Sequence, residues 1–169
     1  MEWLEKYGDF DSPDKREEFF RSHVIDIHQG DMLFSGGLDP FILYEIEDSF
    51  KRGNFIACIL LCQLAIEHCL ANEFLLTEHE SICTRGFAQL ISKARELDII
   101  DKAMESQLTE LRLMRNPHVH PRFGDGKGTY IRRVIDKGLN YNELPVADGI
   151  EAIKILGCYL NTPRLYEWR

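Results

Sequence analysis

Apolar residues along this chain recur every three or four positions, the signature of helices that each bury one face. Ser12-Pro13 reads as an N-cap followed by proline at the first helical position. Phe19, Phe20, His23, Val24 and Ile27 follow at helical spacing, which predicts a helix over 13–29. Gly36-Gly37 ends that region. Asp39-Pro40 repeats the cap signal, and Phe41, Tyr44, Ile46 and Phe50 carry a second helix to 51. Gly53 terminates it and Asn54 caps the next. The helix predicted over 55–76 is apolar nearly all round, as a central bundle helix must be. Thr84 is a candidate cap for a helix bearing Phe87, Leu90, Ile91, Ala94 and Leu97 on one face. Asp101 is a candidate cap for the next, with Met104, Leu108 and Leu111 as its stripe. That pattern should stop near Asn116, because the residue before Pro117 is biased out of the α region.

Residues 121–146 break the pattern. Gly124, Gly126, Gly128 and Gly138 interrupt them, and Thr129-Tyr130-Ile131 with Val134-Ile135 has β character. An irregular loop or a short hairpin is the expectation there. A last helix over 147–160 carries Ile150, Ile153, Leu156 and Leu160 inward. Strands alternating with helices are missing, so the predicted fold class is an all-α bundle of about five or more helices. No linker divides the chain, and 1–169 reads as a single helical domain.

Composition narrows the reading. With 169 residues, 44% of them hydrophobic and 11% aromatic, the chain can bury a core without staples, which argues against disorder. The longest apolar run, Phe55 to Cys62, falls short of the ~20 residues a bilayer requires, so no membrane partner is expected. The acidic start Met1-Glu2-Trp3 shows no signal peptide. The odd set Cys58, Cys62, Cys69, Cys83 and Cys158 then points to reduced thiols in a cytoplasmic setting. Cys58, Cys62 and Cys69 share one helical face and read as small core residues. No CxxC or HxxxH pair suggests zinc, and neither a metal nor a cofactor is expected.

Net charge is −8, unevenly spread. Residues 1–50 hold thirteen acids and four bases, whereas 112–133 hold Arg112, Arg115, Arg122, Lys127, Arg132 and Arg133 against Asp125 alone. A general nucleic-acid surface is disfavoured, but a local site for a phosphate is compatible with this distribution.

The basic segment contains Arg115-Asn116-Pro117-His118-Val119-His120-Pro121. Continued past Leu111, the stripe Met104, Leu108, Leu111 puts Arg115 on the inward face, where a guanidinium needs a partner or a solvated cleft. His120 lies about 140° round an ideal helix from Arg115. The two can share a site only if the helix breaks, and Pro117 and Pro121 bracket a break. Arginine stabilises charge on a phosphorane-like transition state, and histidine moves a proton at neutral pH. RNA carries its own nucleophile, the 2′-OH, so this pair suits RNA cleavage without a metal. Equally open are a structural Arg115 paired with Glu67 and a merely exposed His120. Arg132-Arg133 is either a solvated pair or a substrate clamp.

This segment resembles the RNxxxH form of the Rx4–6H signature of HEPN domains. The apolar helix ending Ala65-Ile66-Glu67-His68 is similar to that family's long core helix with its late acidic residue. The resemblance covers roughly 39–160 and leaves 1–38 as an N-terminal helical extension. It implies a homodimeric helical bundle and a metal-independent endoribonuclease, in a toxin–antitoxin or other defence setting. In that reading Arg115 and His120 are catalytic, and Asn116 and Glu67 support them. His118, Arg112 and Arg122 are candidates for binding RNA. The resemblance equally admits a non-catalytic dimeric module that binds an antitoxin, another protein or a nucleotide.

Overall fold

A computed structural model describes residues 10–24, 40–75, 77–120 and 122–162. Among these residues it has seven α-helices, one 3-10 turn and no strand. The helices are α1 (Pro13–His23), α2 (Pro40–Lys51), α3 (Phe55–Asn72), α4 (Phe87–Glu96), α5 (Lys102–Val119), α6 (Tyr130–Lys137) and α7 (Leu144–Asn161). The 3-10 turn spans Glu80–Ile82, between α3 and α4.

The apolar helix α3 sits at the centre and packs on α7, α2, α5 and α4. Cys58, Ile59, Cys62, Ile66 and Leu70 are closed off from solvent or nearly so, and the cysteines at 58, 62 and 69 fill core space. At 18 residues and a mean hydropathy of 1.7, α3 has the length and composition of a membrane span. Four helices pack on it.

Local chemistry sets the boundaries. Ser12 caps α1 by accepting from the Lys15 amide at 3.3 Å. Asp101 caps α5 through the Met104 amide at 2.7 Å. Gly53, at φ +79°, lets the chain turn sharply between α2 and α3, and Asn54 N–H then donates back to the Ser49 carbonyl at 2.8 Å. Asn54 holds the cap position of α3 without a side-chain hydrogen bond. The buried Arg16 on α1 donates to the Lys51 carbonyl at 2.9 Å and so satisfies one orphan acceptor at the end of α2.

Several expectations change. The first helix ends at His23 with Val24 as its cap, not near 29, and Ile27, Gly36, Gly37 and Asp39 lie outside the described residues. The central helix closes at Asn72, where the bonds of Phe74 to Ala71 and Leu75 to Asn72 tighten into turns. Gly86, not Thr84, is the N-cap of α4. The expected hairpin or loop contains the helix α6, capped by Thr129 and stopped by Gly138 at φ +61°. The last helix starts at Leu144 rather than 147.

The first and last helices meet closely. A Cβ built on Gly157 of α7 would lie 2.3 Å from the His23 carbonyl oxygen of α1. Asn161 Nδ2 donates to that same oxygen at 3.2 Å.

Candidate functional site

Helix α5 buries Met104, Leu108, Leu111 and Met114, so the inward stripe continues to 114 rather than 115. Arg115 therefore stands half-buried at the edge of the core, not on its inward face. The helix also runs three residues past Asn116. Pro117 lies in the last turn, where it removes only the bond to the Leu113 carbonyl. Leu113 is on the exposed side, where that carbonyl can turn to water.

The break falls at His120, which is extended (φ −121°, ψ 93°) while its N–H still donates to the Asn116 carbonyl at 2.9 Å. That extended residue brings the ring back over the final turn, and His120 Nε2 lies 3.4 Å from Arg115 Nη1. Arginine can only donate, so a hydrogen bond across this contact requires an Nε2 lone pair.

Arg112, Arg115, Asn116 and His120 form one wall of a cleft of about 320 Å³. Gln63 and Glu67 of α3 form a second wall, and the first turn of α4, from Gly86 to Gln89, a third. The structure thus brings together five of the sequence-predicted residues. Glu67 accepts from Gln63 Nε2 at 3.1 Å, and no ion pair joins it to Arg115.

His118 and Arg122 do not share this cleft. His118 points away toward α6, where its ring meets Tyr130 edge-on at 5.7 Å. Burial holds the His118 imidazole below its usual value; Asp148 opposes that shift and Arg133 adds to it. The Arg122 guanidinium lies over Gly128, close enough that a Cβ there would come within 3.1 Å of it.

Sequence reasoning missed the start of α4. Gly86 supplies no capping side chain, so the first turn of α4, which lines the cleft, has no side-chain cap. The missing signal was spatial, because nothing in residues 84–89 indicates that they lie opposite Arg115.

It also missed a buried charge cluster. Asp148, 1% exposed, accepts from Arg133 Nη2 at 2.9 and 3.1 Å and from Lys137 Nζ at 2.9 Å. Glu110 of α5 joins at 3.2 Å from Arg133. Arg133 is therefore neither a solvated loop residue nor part of the cleft. Arg132 is exposed and pairs with Asp136 one turn on. A second cleft of about 470 Å³ beside this cluster sets Glu110 and Glu151 against Lys137 and Lys154 over Met114 and Ile150. It holds neither histidine nor arginine, so the chemistry expected from the sequence belongs to the smaller cleft. Among the described residues, no three His, Cys, Asp or Glu side chains gather as metal ligands would.

Comparison with protein-family models, curated proteins and solved structures finds no significant match to this chain.

Proposed function

We propose that this chain is a metal-independent endoribonuclease of HEPN type that cleaves RNA through attack of the 2′-OH. The observation that carries the reading is the 3.4 Å approach of Arg115 Nη1 to His120 Nε2 within a cleft both residues line. An RNA phosphate entering the cleft draws the Arg115 guanidinium onto its non-bridging oxygens and frees the Nε2 lone pair. Neutral His120 then takes the proton of the 2′-OH as its oxygen attacks phosphorus. The bond from phosphorus to the 5′-oxygen breaks, and that oxygen takes a proton. The products are a 2′,3′-cyclic phosphate and a 5′-hydroxyl.

Arg115 stabilises the charge that grows on the phosphate oxygens. Arg112 adds a second cation, Asn116 an amide that orients the phosphate, and the uncapped start of α4 further N–H donors for an anion.

A homodimer belongs to the same reading, since a second His120, in its imidazolium form, then supplies the proton to the leaving oxygen. Leu64, one turn before Glu67, and Leu113, one turn before Asn116, are exposed apolar residues available to such a contact. A toxin–antitoxin or defence role in the cytoplasm, with an antitoxin as partner, is the setting this activity would suit.

The test is incubation of the purified protein with RNA in EDTA. Cleavage that leaves 2′,3′-cyclic ends and spares a DNA oligonucleotide of the same sequence supports the reading. Absence of cleavage on any RNA, with protein or nucleotide binding that depends on Arg115, replaces it with the non-catalytic module.

A further inference from the structure

We infer that the α3 wall of the cleft recognises a nucleobase by its N–H donors, with Glu67 as the contacting residue and Gln63 as the residue that positions it, so that guanosine is preferred among the four RNA nucleosides. This rests on the ribonuclease reading above.

The cleft has walls of opposite chemistry. The α5 wall brings Arg112, Arg115 and His120, which suit a phosphate; the α3 wall brings Glu67, held by Gln63. Neither arginine forms an ion pair with the carboxylate, and among the described residues its hydrogen bond comes from Gln63. An ionised carboxylate has about four lone-pair sites, so most of its accepting capacity is available to a ligand.

Gln63 supplies the second observation. It is 4% exposed, and its Oε1 is buried with no hydrogen-bond partner. The amide cannot flip to relieve that oxygen, because a flip would set Oε1 against the Glu67 carboxylate, acceptor against acceptor. Its neighbours on α3, Ile59, Cys62 and Ile66, are apolar and fully buried. A leucine would fill the position without an orphaned acceptor. What the amide does, and a leucine would not, is hold Glu67 in the cleft.

A carboxylate only accepts, so it selects a base edge that only donates. Guanine offers N1–H and the N2 amino group side by side, which a carboxylate takes with both oxygens. Adenine and cytosine set one amino group beside a ring acceptor. Uracil sets one N–H between two carbonyls, and those carbonyls would meet the carboxylate lone pairs. The cleft, about 320 Å³, lies within the range of small-ligand pockets.

The experiment has two arms. Calorimetric titration compares guanosine, inosine and adenosine 3′-monophosphates, and end-mapping locates cleavage within a long RNA. Guanosine should bind tightest, inosine (which lacks the N2 amino group) next, and adenosine weakest. The guanosine-to-adenosine ratio should be roughly tenfold to hundredfold, the discrimination expected of one good bidentate pair. Cut sites should fall at guanosines. Glu67→Gln should collapse that ratio, mainly by weakening guanosine binding. Gln63→Leu should also lower the ratio, with a Tm equal to or above that of the parent, a pairing that a purely structural glutamine would not give. Equal affinity for guanosine and adenosine nucleotides overturns the inference, as does binding of none of them. Guanosine preference without cleavage overturns the ribonuclease reading alone, and unbiased cut sites with equal affinities overturn the base preference alone.

Discussion

Arg133 on α6 reaches across to α7 and sets Nη2 2.9 Å from Asp148, a carboxylate 1% exposed. Lys137, one turn further along α6, meets the same carboxylate, and Glu110 of α5 closes the group. Helix α6 is thus held to the bundle by charge. Its isoleucines, Ile131 and Ile135, face solvent.

Removing the central anion should therefore be costly. Asp148→Ala leaves Arg133 and Lys137 with Glu110 as their remaining partner, and a destabilisation of at most about 3–5 kcal/mol is expected, the range for breaking a buried ion pair. Urea unfolding measures it. A loss under about 0.5 kcal/mol would show that α6 is held some other way. Replacing Arg133 and Asp148 together by methionine and leucine should recover much of the loss.

His118 and Tyr130 make stability fall at both ends of the pH scale. Burial depresses the His118 imidazole, so as pH drops below its ordinary 6.5 the unfolded chain takes the proton first. The contribution is full above 6.5 and is lost as pH falls toward the folded value. Tyr130 moves the other way: burial, then Tyr141 and Asp148, pushes its hydroxyl from 10 up to about 12. The unfolded chain then ionises first, and stability is lost as pH rises from 10 toward 12. Urea midpoints across pH 5–7 should fall on the acid side, and less so in His118→Gln. An NMR titration showing the His118 ring above 6.5 would reverse the acid-side sign.

At the cleft, Arg115→Ala should slow RNA cleavage by about 10²–10³-fold, as when one electrostatic stabiliser is lost. His120→Ala should cost roughly 10²–10⁴-fold, the usual share of one acid–base group. His120 is exposed, so its variant should melt with the parent protein. Undiminished cleavage in both variants would identify a contaminating nuclease.

Glycine at 157 should be harder to replace than glycine at 149. Alanine at 157 would meet the His23 backbone oxygen at 2.3 Å, whereas alanine at 149 would meet Phe55 Cδ1 at 2.8 Å and Cβ at 3.1 Å, and of these the ring carbon can turn aside. Alanine favours a helix by about 1 kcal/mol over glycine, which offsets part of the cost at 149. At 157, overpacking of about 1–3 kcal/mol should prevail. Thermal melts of the two variants decide the order.

The helices were legible wherever an apolar stripe and a cap coincided, as at Ser12-Pro13 and Asp101. Helix α6 was not, because its pattern is inverted: Arg133 and Lys137 turn inward to Asp148 while the isoleucines turn out. The glycines before it mark a true loop over 122–129, and the reading carried that loop on across the helix that follows. The pairing of Arg115 with His120 was readable from a proline-bracketed basic segment. The reach of His118 toward α6 was not, since one residue of helix rotation decides which wall a side chain faces. Pro117 misplaced the helix end because proline in a last turn costs a single hydrogen bond. Gln63 and the start of α4 could be found only once three helices had converged.

The contact of α1 with Gly157 and Asn161 also constrains the order of events during synthesis. Asn161 and the His23 carbonyl it binds are 138 residues apart. A ribosome releases the amino end first, so α1 leaves it long before its seat on α7 exists. Until then the face of α1 that meets α7 has no partner there. The amino-terminal helix is thus among the first segments made while its seat on α7 is among the last completed, and a chain stalled before α7 would leave that face of α1 uncovered.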